Sequence, residues 1–252
     1  MSIQVYPRSK QAYGEFNGGE ILENKPIGFP QDPGGIKPFS NIFYWAHAWT
    51  SGAESLIAEH PHQGFEIITI VLTGSIKHYD SKLREWQLLK AGDVQIIRAG
   101  SGISHAELLH ANSSIFQIWF DPDLSYTLNQ PASYDNYKND LFKEEEQYQG
   151  RIKYYVGSSS PLEMRARDIE IFEFLFDNGS YSLNLKKGIK RSFYVLEGEM
   201  VANGVAVQPH DFVELHDETT LELKTESKAN IFVIDLLADP GYKTYAEYNG
   251  LT

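Results

Sequence analysis

Two short runs carry the chemistry. His60-Pro61-His62 sets two imidazoles at i and i+2, and His105-Ala106-Glu107 sets an imidazole and a carboxylate at the same spacing. On an extended chain, side chains two residues apart leave the same face, so each run aims two donor atoms in one direction. With no cysteine in the chain, any metal must be held by nitrogen and oxygen. Three neutral nitrogens and one hard oxygen suit Fe(II), Mn(II), Co(II), Ni(II), Cu(II) or Zn(II) and leave positions open for water or substrate. An isolated His-x-His is a weak signal. Two such pairs, each following a strand–glycine boundary, point to one ion held by His60, His62, His105 and Glu107. Glu66 follows on the parity of His62, so an uninterrupted strand would point it the same way.

The segments that must position these residues read as strands. Ile67–Leu72, Val94–Ile97, Ile115–Phe120 and Ile231–Ile234 are short, rich in β-branched and aromatic residues, and bounded by turn signals such as Thr73-Gly74 and Ala91-Gly92-Asp93. Many short strands at this spacing predict a sandwich or barrel. Helix is expected only at Asp140–Glu146 and in the tail after Asp239. A repeat runs through the chain. Ile70-Val71-Leu72-Thr73-Gly74 recurs as Tyr194-Val195-Leu196-Glu197-Gly198, and Lys90-Ala91-Gly92-Asp93-Val94 as Gln208-Pro209-His210-Asp211-Phe212, at offsets of 124 and 118 residues. The expectation is two copies of one β-fold, residues 1–125 and 126–252, joined through a polar stretch at about 121–149.

The remaining composition excludes more than it assigns. The 252 residues are 42% hydrophobic and 13% aromatic, enough to bury a sizeable core. A net charge of -12, from 22 basic and 34 acidic residues, argues against a nucleic-acid backbone or an anionic membrane as partner. No stretch approaches the roughly 18 apolar residues of a membrane span, and the first residues lack the apolar core of a signal peptide. A cytoplasmic protein is expected.

The run His60-Pro61-His62-Gln63-Gly64-Phe65-Glu66, with Val71-Leu72-Thr73-Gly74 after it, resembles the first cupin motif. Gly92 through Arg98, continued by Ala99-Gly100-Ser101-Gly102-Ile103-Ser104-His105-Ala106-Glu107, resembles the second motif in its pirin form. The combination is similar to the pirin family in particular, strongly over about residues 55–120. The resemblance implies an all-β bicupin: two tandem jelly-roll barrels, the first holding one divalent metal, usually Fe(II), and the second degenerate. It places the family ligands on His60, His62, His105 and Glu107. In cupins at large the Glu66 position supplies the carboxylate ligand; in pirins that role falls to Glu107. Glu66 is therefore expected behind the ligands, with an imidazole or Arg98 as partner, or as an extra ligand. Asp32–Phe39 departs from the run many pirins carry there.

The offset of 124 sets Asn184, Lys186 and Lys190 where His60, His62 and Glu66 stand. Charged ammonium groups cannot ligate a cation, so the second copy should hold no metal. The resemblance further implies a metal-dependent dioxygenase of the quercetin 2,3-dioxygenase type, taking a small aromatic substrate and O2; for such a reaction the residues offer Glu107 as general base and Phe43, Trp45 and Phe116 on neighbouring strands as an apolar wall. Its alternative is a non-enzymatic, redox-sensing regulator that binds a protein partner. A sugar-binding cupin is a third reading that the motifs favour less. The family expectation for assembly is a monomer.

Overall fold

The computed structural model describes residues 2–157, 159–216 and 218–251. The chain forms two compact units. One comprises Gln11–Asn139, Met164–Arg167 and the residues from Gly241 on; the other comprises the residues up to Lys10, Asp140–Glu163 and Asp168–Pro240. The units therefore interleave in sequence, and a single cut near residue 125 does not describe them.

In the first unit a seven-stranded sheet runs, in spatial order, Ser133–Tyr137, Val94–Arg98, Glu66–Thr73, Ser114–Phe120, Ile42–Thr50, Ile21–Ile27 and Ala12–Phe16. A four-stranded sheet runs Ser55–His62, Ile103–Leu109, Ser75–Asp80 and Gln87–Lys90. Every pairing is antiparallel. Ile21, Val71, Ile76, Leu89, Leu109 and Ile115 close one end of the interior as an apolar plug. Burial of such side chains supplies the main driving force for closure, about 1.5–3 kcal/mol each.

The chain crosses from the small sheet to the large one between His62 and Glu66, through Gly64 at φ +83°. Glu66 therefore does not continue the face of His62, because the two residues lie on different strands in different sheets. Gly64 donates its N–H to the carbonyl of Gly100 at 3.0 Å, so the two motifs are tied together at their glycines.

The second unit repeats the plan. Its seven-stranded sheet is Ser2–Tyr6, Phe212–His216, Ile189–Glu197, Ala229–Leu237, Ile169–Phe176, Gly150–Val156 and Glu144–Gln147; its four-stranded sheet is Gly179–Asn184, Thr220–Thr225, Met200–Ala202 and Val205–Val207. The repeat holds at the level of register. Val71 opposes Ile115, and Thr69 opposes both Gln117 and Gln95. In the second unit Val195 opposes Ile231, and Phe193 opposes both Val233 and Val213. Both central pairs carry a bulge at the same step.

The helix expected at Asp140–Glu146 is absent: a 3-10 turn at Asn139–Leu141 leads into the strand Glu144–Gln147. That strand pairs with Gly150–Val156 through a turn in which Tyr148 and Gln149 both have positive φ. Its three consecutive glutamates offer no apolar stripe to bury a helix against. The tail does form a helical turn, Tyr245–Tyr248, closed by a Thr244–Glu247 capping box. Among the described residues no helix is long and apolar enough to cross a membrane.

Candidate metal centre

The strands Ser55–His62 and Ile103–Leu109 pair so that His105 lies directly opposite His60, and Ile103 opposite His62. The three imidazoles converge. His105 Nε2 stands 3.0 Å from His60 Nε2 and 3.0 Å from His62 Nε2. A ring nitrogen carries either a proton or a lone pair. If His105 accepts from one neighbour it faces the other with a lone pair or a second proton, so three ring nitrogens cannot satisfy one another by linear hydrogen bonds. The tautomer of His60 is set from behind: its Nδ1 lies 2.8 Å from the Ala58 carbonyl, which turns a bare Nε2 inward. Burial, followed by the neighbouring imidazoles, pushes His62 and His105 down to about 3. Both are therefore neutral, as ligation requires.

These observations fit a divalent metal. With metal–nitrogen bonds of about 2.1 Å, two nitrogens at right angles about one ion stand roughly 3.0 Å apart. The residues that would hold it are His60, His62 and His105. Glu107 follows His105 on the same face and groups with His105 and His78, not with the three-histidine triangle. Its carboxylate is held from the opposite sheet. Gln95 Nε2 donates to Oε1 at 2.7 Å, Thr69 Oγ1 to Oε1 at 3.4 Å, and Gln117 Nε2 to Oε2 at 2.8 Å. Thr69, Gln95 and Gln117 form one cross-strand row, and the amides are braced in turn by Tyr134 and Trp119, which bond their oxygens at 3.1 and 3.2 Å. A carboxylate 1% exposed is tolerated because every donor around it is directed and neutral.

His78 stands opposite Glu107 on the strand Ser75–Asp80. It is fully buried, stacked on Tyr134 at 4.1 Å, and its Nε2 lies 3.0 Å from Asp80 Oδ2. Its Nδ1 and that of His105 are buried with no hydrogen-bond partner among the described residues. Sequence reasoning missed His78, Thr69, Gln95 and Gln117. The last three had a signal: each is the lone polar residue in an otherwise apolar strand core.

The Pirin profile matches residues 28–120, which contain both ligand runs. A Pseudomonas aeruginosa protein provisionally named a quercetin 2,3-dioxygenase is 31% identical over 183 residues, covering 70% of this chain and 75% of that protein. The chain belongs to the pirin family. An Escherichia coli relative of this pirin, named quercetin 2,3-dioxygenase, is 26% identical over 189 residues, 70% of this chain and 74% of its own. The crystal structure of YhhW from Escherichia coli superposes with a TM-score of 0.76 at 20% identity, covering 93% of this chain and 97% of that one. The nickel(II) complex of the bacterial pirin YhhW gives 0.74 at 19%, covering 94% and 99%. The pirin fold is thus two tandem cupin barrels.

Other expected site residues fall elsewhere in this pirin. Glu66 touches no imidazole: its carboxylate accepts the N–H of Arg165 at 2.9 Å and of Ala166 at 2.7 Å, and so grips the segment Met164–Arg167. Arg98 stands 3.9 Å from Glu66 but makes its short bond, 2.5 Å, to Asp135. Trp45 and Phe116 pack edge to face on each other at 5.5 Å. Trp45 opposes Ile118, so alternation turns both away from the face that carries Gln117 and Trp119. Phe43 is displaced by a bulge and joins Phe29 and Phe65. The aromatic ring set against the histidine triangle is Trp119, edge-on to His62 at 4.8 Å and packed on Tyr44 and Phe65.

Proposed function

We propose that this pirin is a metal-dependent dioxygenase that opens the ring of a flavonol-like substrate with O2, in the manner of the quercetin 2,3-dioxygenases its relatives are named for. The carrying observation is the cluster of three imidazoles, with His105 Nε2 3.0 Å from both His60 Nε2 and His62 Nε2, beside a pinned, buried carboxylate. His60, His62 and His105 hold the ion, with Glu107 as the carboxylate partner and iron(II) as the first candidate metal. When bound, such a metal supplies Lewis-acid and one-electron chemistry toward a phenolic oxygen and O2.

The chain's own residues do the rest. An open hollow of about 540 Å³, lined by Pro61, His62, Gln63, Ser101 and Ser104, borders the centre at His62. Trp119, with Tyr44 and Phe65 behind it, offers a flat apolar surface for a planar ring. Glu107 takes the substrate hydroxyl proton on a carboxylate oxygen, and the Gln95 and Gln117 amides keep that carboxylate from rotating away. The test is quercetin turnover in air by metal-stripped protein reloaded separately with Fe(II), Mn(II), Co(II) and Ni(II), followed by flavonol absorbance and O2 uptake. Coupled loss of both supports the reading; no ring opening at full occupancy by any of the four overturns it.

A further inference from the structure

The four-stranded sheet of the first unit turns its histidines inward, and its outer face is apolar. Register sets Leu56, Leu108, Lys77 and Leu88 in one row across the four strands. Leu56 and Leu88, on the two edge strands, are 45% and 43% exposed. Two residues further along, Tyr79 stands opposite Ala106 and holds the Trp86 ring at 5.5 Å; that indole is 47% exposed. The second unit serves as an internal control. Its equivalent row is Ser180, Lys224, Val201 and Ala206, so the repeat keeps the register and drops the leucines. Large apolar side chains gathered on one open face mark a contact surface.

We propose that a second copy of the chain covers this face, in place of the monomer expected from the family resemblance. The charges choose the occupant. Glu54 precedes Leu56 by two residues and Lys90 follows Leu88 by two, and both are exposed. The edge strands run in opposite directions, so the acid and the base lie at one level on opposite margins of the sheet. A two-fold axis along the strands, between Ile103–Leu109 and Ser75–Asp80, lays each margin over the opposite margin of the other copy. Glu54 then faces the partner's Lys90, Leu56 the partner's Leu88, and Leu108 the aliphatic stem of the partner's Lys77. Ala106 faces the partner's Tyr79, small against large, as sheets packed face to face require. An axis across the strands would instead set acid on acid and base on base, which like charge disfavours. One sheet face is a small contact, so the association is reversible and depends on concentration. Nothing in it rests on the reading given to the metal centre.

The experiment is sedimentation velocity on the full-length, metal-loaded protein from about 5 to 500 µM. A monomer–dimer equilibrium is expected within that range. L88E should weaken it about tenfold or more, while V201E, on the equivalent face of the second unit, should leave it unchanged. E54K and K90E each set like charges at both symmetric contacts and should weaken association about three- to tenfold. Opposite charges face each other again in the double variant E54K/K90E and in an equimolar mixture of the two single variants. Both should recover wild-type affinity to within about twofold. A chain that stays monomeric throughout overturns the proposal and leaves the face to a partner of another kind. Wild-type association in L88E, loss of association in V201E, unchanged association in both single variants, or failure of the double variant and the mixture to recover also overturns it.

Discussion

On the proposed ligation, each imidazole of the triangle supplies one bond to the ion. His62→Ala should therefore weaken metal affinity by more than about 100-fold, since loss of outer partners alone costs about 10–100-fold. Metal analysis after dialysis checks this, and the metal-free variant should melt near the metal-free wild type because the apolar plug does not involve His62. Gln117→Leu strips one donor from Glu107 and should lower turnover about 10–100-fold at full metal occupancy; unchanged turnover would remove the cradle from the account. A third residue tests the buried charge balance. Burial raises Asp121 from 3.8 to about 7, and Glu247 adds to the rise while the Tyr245 N–H opposes it. A raised folded-state value means the folded protein holds a proton that the unfolded chain has released. The associated stability is complete below about pH 4 and lost as pH climbs through about 7. Asp121→Asn should flatten the fall in Tm between pH 4 and 7 and make the variant the more stable form at pH 8, as a calorimetric pH series would show.

At the level of strands and turns, the two ligand runs are only as well placed as the glycines that join them. Gly100 has φ +48°, and a Cβ there would meet the Gln130 carbonyl at 2.5 Å. Gly100→Ala should cost about 1–3 kcal/mol, a Tm drop of several degrees, and should weaken metal binding as well; an unchanged Tm would count against this coupling. Strand positions and the repeat were legible because turn residues punctuate short β-branched runs. The two donor pairs were legible because i,i+2 spacing survives any register. The partner of Glu66 was not, because a strand's parity says nothing once the chain changes sheet at Gly64. Nor was Trp119 chosen over Trp45: which alternate face points inward is decided by pairing with strands far away in sequence. The Glu144–Gln147 strand was hidden because its stability comes from its hairpin partner and not from its own composition.

Across the whole chain, the two barrels share a register but not a chemistry. Installing histidines in the second, N184H with K186H, should leave metal stoichiometry at one per chain, because Phe193, Val213 and Val233 offer no seat for a carboxylate and no histidine stands opposite. Two ions per chain by elemental analysis would refute that division. The grip of Glu66 on the backbone of Arg165 and Ala166 has a bearing on synthesis. The carboxylate leaves the ribosome about 100 residues before its donors, so a nascent first barrel must keep that group hydrated or protonated while the intervening chain is made. A fragment ending at residue 139 would be left permanently in that state, with an unsatisfied acid in its wall, and changing Glu66 to glutamine should make such a fragment more soluble while weakening the intact protein.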